Sequence, residues 1–353
     1  MTGRGDRNKT ILWWGRFDPD YSRNRILRQL LRDDGYTLRD FRPYSSGLGT
    51  VEEVFARTGA ADAVWVGAFR QRDFAAARSF ADRQGIPLIF DPLISAWEKS
   101  VFERKRFRAQ GRRAMRLKQW EQRMFASADL VLADTDLHAR FFIDNLRALT
   151  TRTLVVPVGA EEKLFFEQPH TPPLQRPEIL FYGSFISLQG PEVIVEAARQ
   201  VPEARWTMLG DGPLRRVCEN KADGSDHIVF ENWCPYEQLA ARIGQADVLL
   251  GVFGTSDKAG RVIPNKAYQA LACGRPLITR RSAAYPAVLG SGDSGVHFVS
   301  PGDSASLARV AQEMVTEPAR LPALGRQARA SYERHFSASL IHASLLQSLR
   351  TLL

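Results

Sequence analysis

Twelve short apolar runs, most of them followed by a stretch of helical periodicity, recur along the chain in two sets of six. The first set falls at 11–14, 37–41, 63–67, 87–91, 129–134 and 153–159, the second at 178–183, 205–210, 227–231, 247–253, 276–279 and 295–299. Strand–helix–strand repeats of this kind build parallel sheets whose strands are apolar on both faces. The rhythm therefore predicts an α/β chain with two doubly wound, Rossmann-like domains. Between the sets lies 167–177, where Pro169, Pro172, Pro173 and Pro177 remove backbone donors and bias the chain toward extended structure. It reads as the linker, giving a first domain over 1–167 and a second over 178–336. Past Gly302 the pattern is helical to the end. Leu340, Leu345 and Leu349 leave the last helix, 337–353, with spare apolar surface, which predicts that it crosses back onto the first domain.

A chain of 353 residues, 44% hydrophobic and 25% charged, has enough apolar material for two cores and is neither disordered nor membrane-spanning in composition. Its apolar runs are far shorter than the roughly 20 residues needed to cross a bilayer. The polar start, with Arg4, Arg7 and Lys9, lacks the body of a signal peptide, so a cytoplasmic location is expected. Cys218, Cys234 and Cys273 form no CxxC or Cys/His cluster and read as ordinary thiols. A formal charge of +9 favours acidic partners without choosing among nucleic acid, anionic membrane and phosphorylated substrates.

In open parallel sheets ligands gather at the carboxyl ends of the strands. In the first set these ends carry Gly15, Arg16 and Phe17, then Gly67, then Asp91 and Ser95. In the second, Phe181-Tyr-Gly-Ser-Phe-Ile-Ser-Leu-Gln-Gly190 places Gly183 at a strand end and Gly190 before Pro191, a first helical position. Such a loop lets backbone approach a phosphate, with a helix N-terminus behind it. Ser184 and Gln189 lie on it. Leu209-Gly-Asp-Gly-Pro213 is a similar turn at Gly210, although glycines there also suit a plain connection. The sharpest segment is Arg261-Val-Ile-Pro-Asn-Lys-Ala-Tyr-Gln-Ala-Leu-Ala-Cys-Gly-Arg-Pro276, a helix opened at Pro264 and closed at Gly274. Arg261, Val262, Ile263 and Pro264 lead into it, and Lys266 sits near its N-terminus, where a diphosphate would find cations and free N–H groups. The Gln269 amide, one turn on, either reaches a ribose hydroxyl or stays a partly exposed helix residue.

These segments in this order, with Ala128-Asp-Leu-Val-Leu-Ala-Asp-Thr135 and Val155-Val-Pro-Val-Gly159, resemble family 4 of the retaining GT-B glycosyltransferases through most of the chain. The resemblance implies a nucleotide diphosphate sugar held by the second domain, an acceptor held by the first, and no metal cofactor, since no DxD cluster stands where one would be needed. It also exposes departures. The family's Arg after the Gly183 position and Lys before the Gly190 position are Ser184 and Gln189 here, and its paired glutamates fall on Arg261 and Gln269. Arg261 and Lys266, with Lys258, are the cations left to hold the diphosphate. Where many members carry a histidine after the fourth strand this chain has Asp91, which either orients an acceptor hydroxyl or caps the following turn. His138 reads as structural.

The segment 97–125 packs ten Lys and Arg against three Glu, with Phe102, Met115, Trp120 and Phe125 among its apolar residues. It reads as one basic helix, either docking on anionic lipid at the inner membrane face or presenting a solvated face to water. The expectation is thus a hexosyltransferase-like transfer to a glycan or lipid-linked acceptor. The competing readings are a sugar-nucleotide epimerase, a phosphorylase, or a catalytically degenerate partner that binds sugar nucleotide or glycan. A nucleic-acid binder lacks any recognisable module.

Overall fold

The computed structural model describes residues 9–56, 58–171 and 175–353. Arg4 and Arg7 of the polar start, and Pro172 and Pro173 of the expected linker, lie outside them. All twelve apolar runs contain strands: β1 (Thr10–Trp14), β2 (Thr37–Phe41), β3 (Ala63–Val66), β4 (Leu88–Phe90), β5 (Leu130–Ala133), β6 (Thr153–Val155), β7 (Glu178–Tyr182), β8 (Arg205–Leu209), β9 (Ile228–Glu231), β10 (Val248–Leu250), β11 (Leu277–Arg280) and β12 (Val296–Val299). They pair in parallel as two sheets, ordered β2-β1-β3-β4-β5-β6 and β12-β11-β10-β7-β8-β9.

Alternation along the strands explains why both faces must be apolar. Leu12, Trp14, Val64 and Val66 point into one core layer, while Ile11, Trp13, Ala63 and Trp65 point into the other. Trp13 and Trp65 stack across β1 and β3 with centroids 4.7 Å apart. The run at 247–253 extends furthest past its strand together with that at 153–159. β10 stops at Gly251, whose N–H goes to the Ile278 carbonyl and beside which the Thr279 side chain leaves no room for a Cβ.

By internal contacts the chain divides into one unit of residues up to Val158 plus Ser339–Leu353 and another of Gly159–Ala338. Residues just ahead of the expected linker and at its start pack with the second unit. Phe165 meets Tyr236 edge-on, the Gln168 N–H reaches the Cys273 carbonyl, and the buried Arg275 guanidinium binds the carbonyls of Gln168 and Pro169. The last helix, Ala338–Leu352, lays Ile341, Leu345, Leu346 and Leu349 into the core layer that holds Ile11, Trp13 and Leu27.

The expectation of one helix over 97–125 is corrected. A turn at Ala96–Glu98 runs into a single π-helical turn at Lys99–Glu103, the chain is irregular through 104–111 with Lys105 at φ 48, and a new helix spans Arg112–Ser127. The fold-back has a cause in buried Glu121. Its carboxylate accepts from the Ser95 hydroxyl at 2.6 Å and from the N–H groups of Ala96 and Trp97 at 2.7 and 2.8 Å, tying the middle of the second helix to the start of the first. A continuous helix cannot bring residues 26 apart into contact.

Candidate functional site

The strand order reverses between β7 and β10, so the crevice for a ligand of the second unit opens over their carboxyl ends. Gly183 ends β7 at φ 149, and Gly190 caps the helix Pro191–Ala198 at φ 69, both left-handed conformations that a side chain disfavours. The loop between them is held from two sides. Gly183 N–H bonds the Leu209 carbonyl at 3.0 Å and Phe185 N–H the Asp211 carbonyl at 2.9 Å. Across the loop, the Gln189 carbonyl accepts from Phe253 N–H at 3.0 Å. A Cβ on Gly210 would strike the Gly183 carbonyl oxygen, and one on Gly190 would stand 2.8 Å from Phe253 backbone. Three strand-end loops therefore pack backbone to backbone, which only glycine permits.

Beneath this loop lies the helix Asn265–Ala272, with every residue from Lys266 to Ala272 buried. Lys266 is 5% exposed, and its buried ammonium has no hydrogen-bond partner and lies 2.9 Å from the point where Gly183 would carry a Cβ. Its nearest compensation is the Phe181 ring, 3.9 Å from nitrogen to centroid, and burial holds its pKa well below the ordinary lysine value. Gln189 comes to the same spot, its Cδ 3.7 Å from it and its Oε1 likewise buried without a partner. Gln269 is buried rather than partly exposed, and its Oε1 accepts from the Tyr182 hydroxyl at 2.8 Å. Tyr182 thus pins the end of β7 to the helix.

Gly183, Gln189, Gly210, Lys266 and Gln269 are brought together, with Ser184 exposed on the rim. Lys258, Arg261, Val262, Ile263 and Pro264 follow one another on the segment from β10 to the helix, half-buried except for buried Ile263. Arg280, absent from the sequence reading, tethers that segment by donating to the Gly254 and Ser256 carbonyls at 2.6 and 3.2 Å, and Ser282 Oγ donates to the Gly260 carbonyl. Trp233 was also missed. It stands 53% exposed after β9 with Cη2 3.3 Å from the Gly210 Cβ position. Arg215 fixes that corner by donating to the carbonyls of Gly210 and Glu231 and to Asn232 Oδ1. A lone tryptophan just past a strand end was the available signal.

In the first unit, Gly15 and Arg16 end β1 at that sheet's own reversal, between β1 and β3. Gly15, at φ 118, abuts the Asp73 carboxylate, which also receives the Arg16 N–H at 3.4 Å. The expectation that Asp91 presents a carboxylate to an acceptor is corrected. Asp91 is fully buried, and both of its oxygens accept from Arg23 Nε at 2.8 and 2.9 Å, while Arg23 Nη1 donates to the Val156 carbonyl at 2.7 Å. Through Arg23, Asp91 joins the helix Ser22–Asp33 to the ends of β4 and β6. His138, also buried, bonds Asp134 at 2.6 Å. Among the described residues no group of three or more His, Cys, Asp and Glu is placed to hold a metal ion, and no helix is long and apolar enough to cross a membrane.

Residues 176–317 match the family model described as Glycosyl transferases group 1. The chain is 27% identical over 242 residues to the putative colanic acid biosynthesis glycosyltransferase WcaL of Escherichia coli K12, covering 65% of this chain and 59% of that protein. It is 29% identical over 203 residues to the D-inositol 3-phosphate glycosyltransferase of Geodermatophilus obscurus, covering 50% and 43%. The chain thus matches less than two thirds of the length of these relatives. Among solved structures, sucrose-phosphate synthase from Thermosynechococcus elongatus superposes with a TM-score of 0.78 at 17% identity, covering 98% of this chain and 99% of that one. Anabaena HepE in complex with UDP superposes at 0.72 and 14% identity, covering 97% and 100%. At such identities the likeness carries the fold, GT-B, alone.

Proposed function

From residues 176–317 of the second unit, which match the model described as Glycosyl transferases group 1, we propose that the chain is a retaining glycosyltransferase that moves a sugar from a nucleotide diphosphate sugar to an acceptor hydroxyl. One observation carries the reading: the Lys266 ammonium, buried and without a hydrogen-bond partner, under the Gly183 loop at the sheet reversal. A desolvated, unpartnered cation costs several kcal/mol unless an anion arrives, and a diphosphate is the anion that glycine-rich strand ends admit. Uridine diphosphate is the first nucleotide to try, since HepE was solved with UDP.

In this reading the anomeric carbon–diphosphate bond breaks as the acceptor oxygen attacks from the same face, and the acceptor proton passes to the departing diphosphate. Lys266, with Lys258 and Arg261 on the tethered segment, meets the charge that develops on the leaving group, so no metal is required. Gln269 faces the ribose, held by Tyr182, and the Trp233 ring is the platform for the base. Gly15 and Arg16, at the end of β1, are the donor-binding candidates of the first unit, which takes a glycan or lipid-linked acceptor. The chain works in the cytoplasm, at the inner membrane face.

The test is a thermal-shift screen of nucleoside diphosphates and their sugars, followed by donor hydrolysis and transfer with the purified chain. Arg261→Ala with Lys266→Ala weakens diphosphate binding far more than nucleoside binding; equal losses count against the assignment. Arg261 and Gln269, standing where the resembling family has glutamates, favour a second reading, a partner that binds sugar nucleotide without turnover. Any donor consumption excludes it.

A further inference from the structure

The helix Gly49–Ala56 is built inside out. Its buried residue is Gly49, where a Cβ would press on Ala76 at 3.1 Å, whereas Leu48, Val51, Val54 and Phe55 are 57%, 56%, 65% and 80% exposed. The polar side chains take the inward duties. Glu52 accepts from the N–H groups of Tyr44 and Ser45 at 2.6 and 3.1 Å, and Glu53 pairs with Arg83 at 2.6 Å. Positions 48, 51 and 55, with 54 beside them, share one face of the helix, and Tyr44 stands fully exposed at its approach. Each buried Å² of such surface is worth about 25 cal/mol, which this ridge forgoes in water.

The neighbouring helices limit what can cover the ridge. Helix Phe74–Gln84 touches it through Ala76 and Arg83, and forms a cleft with helix Arg112–Ser127 lined by Arg78, Asp82, Arg83, Trp120 and Arg123. Phe74, Ala77, Ala114 and Phe125 share one core layer with Trp14, on which Gly49 also packs, so the three helices lie over the same face of the first sheet. The outermost brings exposed Arg112, Arg113 and Arg116, and the irregular segment before it exposes Arg104, Arg106 and Arg108, while Glu121 is withdrawn into the interior. The layer thus carries an apolar ridge on one edge helix and a dense basic field on the other. A second copy of this face brings like charge against like charge, whereas an anionic bilayer offers negative headgroups and an apolar interior together.

We propose that this helical layer docks on an anionic lipid surface, with Val51, Val54 and Phe55 entering the interface and the arginines of 104–116 holding the headgroups. The inference does not rest on the donor site, which lies in the other unit. Its test is co-sedimentation of the full chain with vesicles of phosphatidylcholine alone or mixed with phosphatidylglycerol. Wild type pellets with the anionic vesicles only, less so as salt rises. Val54→Ser with Phe55→Ser lowers partitioning about tenfold, as does the triple change of Arg112, Arg113 and Arg116 to Gln, while both variants melt cooperatively near wild type. Wild type left in the supernatant overturns the proposal, as does equal binding to neutral vesicles or an apolar variant that pellets like wild type. Self-association abolished by the apolar variant also overturns it, by assigning the ridge to a second copy.

Discussion

The Lys266 ammonium rests 3.9 Å from the centroid of the Phe181 ring, beneath a glycine that has no room for a methyl group. A cation in that place is costly to the empty protein and useful only to a bound anion. Lys266→Met is therefore expected to stabilise the unliganded chain by about 1–2 kcal/mol, by replacing a desolvated charge with an apolar side chain of similar length. The same change lowers nucleoside diphosphate affinity tenfold or more. Chemical denaturation and calorimetric titration read the two effects. A variant less stable than wild type with unchanged affinity refutes the assignment.

The same residue sets a pH dependence. Burial lowers the Lys266 pKa in the free protein, and a bound diphosphate raises it again, so binding takes up a proton. Affinity is then highest below the free-state pKa and falls as pH rises above it, by up to about tenfold per unit. Stability of the unliganded chain runs the other way. The unfolded lysine holds its proton up to its ordinary value, so stability grows as pH rises from the lowered folded pKa toward that value. Titrations in buffers of different ionisation enthalpy measure the proton uptake, which Lys266→Met abolishes.

Lys266 also marks where the sequence stops being legible. All twelve strands could be read because apolar runs of four to seven residues between helical stretches have few other fates. Gly183, Gly190 and Gly210 were likewise visible as strand-end glycines. The depth of the helix Asn265–Ala272 was not, because Lys266 and Gln269 are residue types that belong on surfaces, and only the packing of three loops above them takes both out of water. Asp91 failed for a related reason. Its partner Arg23 lies 68 residues away, and nothing local announces the pair. The segment 97–125 has helical periodicity throughout, yet Glu121 folds it back through a contact that periodicity cannot encode.

That buried pair makes its own prediction. Asp91→Ala leaves the Arg23 guanidinium uncompensated at zero exposure and is expected to cost about 3–5 kcal/mol, which the double variant Arg23→Met with Asp91→Leu largely recovers. Transfer activity per folded molecule survives in the double variant, because the carboxylate serves the fold. Loss of turnover at restored stability returns Asp91 to the chemistry.

Trp233 makes the last prediction and separates base recognition from phosphate recognition. Its ring edge is seated against Gly210, and Arg215 locks the surrounding corner, so the exposed face is held in place before any ligand arrives. Stacking of a nucleobase on such a platform is worth about 1–3 kcal/mol. Trp233→Ala is therefore expected to weaken nucleosides and nucleoside diphosphates alike by about tenfold or more, while leaving inorganic pyrophosphate unaffected. Trp233→Phe, which keeps an aromatic face, retains most of the affinity. Quenching of tryptophan fluorescence on nucleotide addition shrinks in both variants, since the reporting ring is gone. An alanine variant that binds uridine diphosphate as wild type does places the base elsewhere, and leaves the diphosphate site at Lys266 to be judged on its own measurements.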